Sequence, residues 1–283
     1  MTPEPQFMLD GRLLPGSKAR VSILSEGLQH GLGAFETMRV RDGRAIFFED
    51  HAARLRRAAA ALGLDARACE GGRERCERLL AVGGERSCAL KWVLYGDEEG
   101  GTAEALFTRP LPYQEEHYAK GFVLRTMPAV GEGSGLKTLA RWPQVLARRQ
   151  AAAAGADEAL FVGPDGDVRE GAVTNVFAVE RGVLLTPPLD GRILPGIARA
   201  RVVSLGSAHE AVLPLPRLLA ADEVFVTNAL LGVMPVSRVD DLLFPLNDNP
   251  VTREMRRLFE AEAGVMEGWE GEPAGNPASN LSV

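Results

Sequence analysis

Short apolar bursts separated by glycine-bearing turns run through residues 160–188, LFVGPDGDVREGAVTNVFAVERGVLLTPP. The pattern predicts three short strands joined by two tight turns. In the first turn, Pro164-Asp165-Gly166, proline presets its own backbone angle and glycine accepts a positive φ. Glu180-Arg181-Gly182 makes the second. Val173, Val176, Phe177 and Val179, lying between the turns, are the β-branched and aromatic types that pack on a pleated surface. Glu170 sits on this hairpin beside Gly171, a residue that lets another group approach the backbone.

Upstream, residues 7–13 read as a strand, an Asp10-Gly11 turn and a return strand. The run 27–33, GLQHGLG, reads as a loop, and 34–40 as a strand closed by Asp42-Gly43. A helix is predicted from Glu49 to Leu62: acids in its first turn suit the dipole, Leu55 and Leu62 share a face, and Gly63 follows. A second helix spans 72–82, 88–95 reads as a buried strand, and 105–109 as its hairpin partner. Beyond these come a strand at 122–128, a flexible loop at 131–135 and a helix at 143–154. Pro143 suits the first turn of that helix, and Gly155 the position after its last. Leu194-Pro195-Gly196-Ile197 opens another helix with proline at its start, and 224–227 is a short buried strand.

With 283 residues, 46% of them hydrophobic and 25% charged, the chain has room for one large or two modest domains with a sizeable core. Pro110, Pro112, several charges and weak periodicity place a boundary within 110–121. The expected division is an N-terminal α/β domain over 1–113, a linker over 114–121, a C-terminal domain over 122–263 and a loose tail over 264–283. A net charge of −6 gives no reason to expect nucleic acid or an anionic membrane as partner. No window approaches the ~18 consecutive apolar residues of a membrane span. Cys69, Cys76 and Cys88 lack metal-ligand spacing; few cysteines and no apolar leader argue for the cytoplasm.

The candidate chemistry begins with Lys137. A lysine between two leucines after a glycine-rich loop either snorkels its charge to water or, desolvated, serves as a nucleophilic amine of lowered pKa. Glu170 is either a solvated turn residue or the carboxylate partner of a basic ring nitrogen. The helix opening at Gly196-Ile197 offers unpaired backbone N–H groups and the positive end of a dipole, a natural anion site. Asn228-Ala229, after the 224–227 strand, offers further amides, and Arg54 a two-pronged cation. His30, His51, His117 and His209 form no metal pattern, and none is assigned to catalysis.

Six ordered blocks carry a resemblance: 31–40 GLGAFETMRV, 49–55 EDHAARL, 136–162 LKTLARWPQVLARRQAAAAGADEALFV, 169–179 REGAVTNVFAV, 185–199 LTPPLDGRILPGIAR and 221–236 ADEVFVTNALLGVMPV. Together the chain resembles the fold-type IV pyridoxal-phosphate enzymes, which include branched-chain and D-amino-acid aminotransferases and 4-amino-4-deoxychorismate lyase. The resemblance implies a mixed α/β (α+β) fold, with a smaller N-terminal α/β domain and a larger, β-barrel-like C-terminal domain carrying helices. It implies pyridoxal 5'-phosphate as cofactor, a small-molecule amino substrate, and a homodimer whose active sites borrow residues from the partner. Lys137 is then the Schiff-base lysine and Glu170 the partner of the ring nitrogen. Arg54, the amides of Ile197 and Ala198, and the Asn228-Ala229 turn hold the phosphate. Phe35-Glu36-Thr37 before Arg39 is closer to the lyase and D-amino-acid branches than to the FEGIR form of branched-chain enzymes. The Arg-x-His pair of the D-amino-acid enzymes has no counterpart over 90–112. Asn228-Ala229-Leu230 and Arg141 are similar to the lyase, with Arg141 and Phe35 as candidate substrate contacts. Ala140 stands where an asparagine is common, and Ala198 where a threonine hydroxyl often assists the phosphate. The expected activity is release of pyruvate and 4-aminobenzoate from aminodeoxychorismate, the alternative being transamination of D- or branched-chain amino acids.

Overall fold

The computed structural model describes residues 4–131 and 135–264, so the expected tail beyond Gly264 and the middle of the 131–135 loop lie outside the described residues. The chain opens with a hairpin of β1 (Gln6–Leu9) and β2 (Arg12–Pro15). Asp10 and Gly11 both take positive φ there, as a two-residue hairpin turn needs. The stretch expected as a pure loop contains a short helix, α1 (Glu26–His30). The Ser25 hydroxyl accepts from the Leu28 N–H at its start and Gly31 closes it in the left-handed region, so capping organises a segment that composition marks as irregular.

β3 (Gly33–Arg41), β4 (Arg44–Ala45), β5 (Cys88–Gly96) and β6 (Thr102–Arg109) complete an antiparallel sheet of order β2-β1-β6-β5-β3-β4. α2 (Phe48–Ala61) and α3 (Gly72–Gly83) cover it, burying Leu55, Ala58, Ala59 and Leu79 against Met38, Leu90 and Trp92. The region expected to link two domains contains α4 (Glu115–Lys120).

From β7 (Phe122–Pro128) and α5 (Trp142–Ala153) onward the chain builds a second, nine-stranded sheet. The expected three-strand unit at 160–188 has four strands: β8 (Glu158–Val162), β9 (Val168–Gly171), β10 (Asn175–Glu180) and β11 (Val183–Thr186). The middle run breaks because Gly171 N–H donates to Thr174 O at 2.7 Å, turning the backbone between β9 and β10. Next come α6 (Ile197–Gly206), β12 (His209–Glu210), α7 (Leu215–Leu219), β13 (Glu223–Asn228), β14 (Gly232–Val239), β15 (Leu242–Leu243) and α8 (Pro250–Glu262). Pro195 stands before α6 rather than inside it, since Gly196 is the N-cap.

The strand order is β12-β11-β10-β13-β14-β7-β8-β9, with β15 beside β14. β7 is parallel to both its neighbours, β8 and β14. Because β9 passes into β10 through residues 172–174 alone, the two ends of the β10-to-β9 run lie side by side and the sheet curls like a barrel. Side chains alternate across it. Val176, Ala178, Val226, Leu160 and Met234 pack on one face. Phe177 and Phe225, stacked at 4.9 Å, pack on the other with Ala198 and Val202 of α6 and Phe259 of α8.

The two sheets meet at the start of β3. Phe35 N–H donates to Lys137 O at 3.0 Å and Leu139 N–H to Gly33 O at 2.9 Å, so residues 137–139 extend the edge of β3. Gly33 permits this approach: a Cβ there would lie 2.5 Å from Leu139 Cδ1 and 2.7 Å from Leu94 O.

Candidate active site

A cavity of about 410 Å3 opens between the sheets. Among its lining residues are Phe35 from β3, Arg54 from α2, Lys137 and Arg141 from the segment before α5, Ile197 at the start of α6, and Asn228-Ala229 at the end of β13. Seven of the nine positions expected from sequence therefore face one space. The other two do not line it. Ala198 is 1% exposed and packs beneath the first turn of α6, leaving only its amide to act. Glu170 stands one residue behind the wall and lines an adjacent cavity of about 470 Å3. Its Oε2 accepts from Leu194 N–H at 2.9 Å and from Asn175 Nδ2 at 3.2 Å, and both of those residues line the first cavity.

Lys137 Nζ lies 4.9 Å from the centre of the Phe35 ring. Burial, reinforced by the positive charges of Arg54 and Arg141, lowers this amine to about 7. A substantial fraction is then the neutral, nucleophilic form at neutral pH. Burial pushes the Glu170 carboxyl up to about 7, against the opposing pull of Leu194 N–H and the nearby cations. Both key groups thus titrate close to neutrality, because burial disfavours the charged form of each.

Arg54 is held by two residues that the sequence left unassigned. Its Nε and Nη2 donate to the two oxygens of Glu36 at 2.7 Å each, and its Nη1 donates to Pro195 O at 2.8 Å. Glu36 also accepts from His51 Nδ1 at 2.7 Å, since a carboxylate can only accept there. Burial alone would raise Glu36, but the hydrogen bonds from Arg54 and His51 hold it at about 2. His51, fully buried, is pushed down by desolvation against the pull of Glu36. Of the five N–H groups a guanidinium carries, these bonds use three and leave two, on a side chain that lines the cavity. The network joins Glu36 of β3 to His51 and Arg54, three residues apart on α2.

The start of α6 has no side-chain cap, so the N–H groups of its first turn are unpaired within the helix. Asn228 builds the second rim: its Oδ1 accepts from Leu230 and Leu231 N–H at 2.9 Å, and its Nδ2 donates to Val173 O at 3.2 Å. A further residue missed from sequence is Lys91 of β5, whose Nζ lies 4.3 Å from the Phe35 ring centre. Arg141 Cζ is 6.0 Å from the same ring, and its Nη2 donates to Ala172 O at 2.6 Å.

A lysine of lowered pKa, a carboxyl bonded to the cavity wall at Asn175 and Leu194, and an uncapped helix start fit pyridoxal phosphate at its aldehyde, ring nitrogen and phosphate ends. The cavity also falls within the size range of small-molecule sites. Fold and site together define a pyridoxal-phosphate-dependent enzyme of fold-type IV. The model of the amino-transferase class IV family matches residues 33–239, and the chain belongs to that family. It is 29% identical over 253 residues to the D-alanine aminotransferase of Bacillus licheniformis, covering 83% of this chain and 88% of that one. It is 26% identical over 278 residues to the aminodeoxychorismate lyase of Bacillus subtilis, covering 90% and 93%. A crystal structure of the branched-chain aminotransferase from Thermoproteus uzoniensis with norvaline superposes with a TM-score of 0.83 at 26% identity, over 94% of this chain and 97% of that one.

Proposed function

We propose that the protein is a 4-amino-4-deoxychorismate lyase, releasing pyruvate and 4-aminobenzoate for folate synthesis. The observation that carries this reading is a cluster of cations without carboxylate partners. Among the described residues, no acid forms an ion pair with Lys91, Arg109 or Arg141. Burial and the two arginines lower the Lys91 amine. Partly desolvated positive charge at Lys91 and Arg141 suits a substrate with two carboxylates better than an apolar amino acid.

Pyridoxal phosphate, when bound, supplies an electron sink for the carbon bearing the substrate amine. Lys137 would hold it through Nζ, and Glu170 would keep a proton at the ring nitrogen. Arg54, the amides of Ile197 and Ala198 and the Asn228-Ala229 turn hold the phosphate. With its Nζ free, Lys137 would be the base that takes the proton from the amine-bearing carbon of the substrate. The electrons of that C–H bond become the third double bond of the aromatic ring, the neighbouring C–O bond breaks with its pair going to oxygen, and the released enolpyruvate takes a proton on its CH2 carbon to become pyruvate. Phe35 packs against the substrate ring and Arg141 holds a carboxylate.

Exposed apolar residues flanking the site support a homodimer: Ile23 (76% exposed) and Leu28 near α1, and Trp142 (64%) and Leu146 on α5. A cytoplasmic location fits the three unpaired cysteines. No helix among the described residues is long and apolar enough to cross a membrane. A second reading, transamination of D- or branched-chain amino acids, is favoured by the D-alanine and branched-chain relatives. The deciding assay compares pyruvate release from aminodeoxychorismate with keto-acid formation from a panel of amino donors. Stoichiometric pyruvate and 4-aminobenzoate without any acceptor is the result expected. Conversion of a donor to its keto acid, leaving the cofactor as pyridoxamine phosphate and no pyruvate from aminodeoxychorismate, would overturn the lyase reading.

A further inference from the structure

The Thr227 side chain is 0% exposed and its Oγ1 has no hydrogen-bond partner among the described residues. A buried hydroxyl costs free energy unless something binds it. Other strand threonines find partners: Thr186 Oγ1 donates to Val176 O at 2.9 Å. Thr227 lines the same cavity as Arg54, Gly196 and Ile197.

Its register explains the placement. Thr227 lies opposite Asn175 across the β10–β13 pair, and directly opposed residues share a face of the sheet. That face carries Phe177 and Phe225 and packs against Ala198. Asn175 fills the space beside the helix start: a Cβ on Gly196 would collide with Asn175 Oδ1, and Asn175 Nδ2 donates to Leu194 O at 3.0 Å. Thr227 is therefore the neighbour of a side chain seated against the N-terminus of α6. Ala198, inside the first turn of α6, and Ala229, which lines the cavity, have no hydroxyl to offer.

We infer that Thr227 Oγ1 is a direct ligand of the cofactor phosphate, supplying from the floor of the site the hydroxyl that Ala198 and Ala229 lack. This rests on the reading that the phosphate binds at the start of α6. A hydroxyl is a donor that the guanidinium and amides leave room for, and a phosphate oxygen is the acceptor it lacks among the described residues.

The test measures dissociation constants of the apoenzyme for pyridoxal phosphate and for phosphate-free pyridoxal, by quenching of tryptophan fluorescence. Thr227→Val keeps the shape and β-branching of the side chain and removes only the hydroxyl; Thr227→Ser keeps the hydroxyl. Thr227→Val is expected to weaken pyridoxal phosphate about tenfold to a hundredfold, the worth of one hydrogen bond to a charged group. Its affinity for pyridoxal should be unchanged, and Thr227→Ser should bind both near wild-type strength. Should the valine variant fail to fold, Thr227→Ala gives the same comparison. Retention of pyridoxal-phosphate affinity within about twofold, or an equal loss for both compounds, would overturn the assignment. If the wild-type protein bound the two compounds equally, the anion site at α6 would itself fall, and Thr227 with it.

Discussion

Lys137 and Glu170 are pulled toward the same titration range by the same cause, burial, acting on charges of opposite sign. For the lysine, only the neutral amine attacks an aldehyde, so its fraction sets how fast the apoenzyme takes up cofactor. Reconstitution followed by the visible absorbance of the bound cofactor should slow about tenfold per pH unit below about 7 and level off above it. An uptake rate that falls only below pH 5, or that keeps rising to pH 10, contradicts the assigned state of Nζ. Glu170 gives a stability signature. Its folded pKa lies above the ordinary carboxylate value of 4.5, so between 4.5 and about 7 the folded chain holds more protons than the unfolded one. Its contribution is therefore fully present below pH 4.5 and is lost as pH rises through about 7. Urea unfolding of the apoenzyme should show this loss, and Glu170→Gln should remove it while slowing turnover of the loaded enzyme by about two to four orders of magnitude. A parallel pH dependence in the two proteins would mean that Glu170 titrates normally.

At the level of elements, what positions the lysine is the edge of β3. Residues 137–139 hold to that edge through Phe35 N–H to Lys137 O and Leu139 N–H to Gly33 O, and nothing larger than glycine fits at 33. Gly33→Ala must push Leu139 or the Leu94 carbonyl aside, an overpacking that costs about 1–3 kcal/mol. Thermal unfolding should fall accordingly, and covalent attachment of cofactor should slow more than non-covalent binding; an unchanged attachment rate would detach β3 from the placement of Lys137. This coupling explains what the sequence could and could not reveal. Hairpins such as β1–β2 and β5–β6, and helices such as α2 and α3, declare themselves through local periodicity and turn residues. So do Lys137, Glu170 and the helix start at Gly196, each marked by its immediate neighbours. Glu36, His51, Lys91 and Thr227 take their meaning from residues across another element, which spacing along the chain does not encode. α8 escaped for a different reason: its apolar stripe, Val251, Met255, Leu258 and Phe259, is narrow and interrupted by charges.

The whole molecule carries a formal charge of −6, yet Lys91, Arg109 and Arg141 stand together where β5, β6 and the segment before α5 converge. Arg141 lines the cavity and Lys91 lies over the Phe35 ring that also lines it, so a net-acidic chain presents positive charge beside this site. This arrangement separates the two readings of function through a single variant. Lys91→Met keeps the length and apolar stem of the side chain over the Phe35 ring and removes its charge. If the substrate is a dicarboxylate, the variant should raise KM for aminodeoxychorismate by about tenfold to a hundredfold, the worth of a charged hydrogen bond, with kcat little altered because the reacting carbon lies at Lys137. Monocarboxylic amino donors should be unaffected in KM, having no second carboxylate for that position to hold. If instead Lys91→Met lowers KM for branched-chain donors and leaves aminodeoxychorismate inert, the cations are a barrier against charged side chains, and the protein is a transferase selecting neutral amino acids by repulsion.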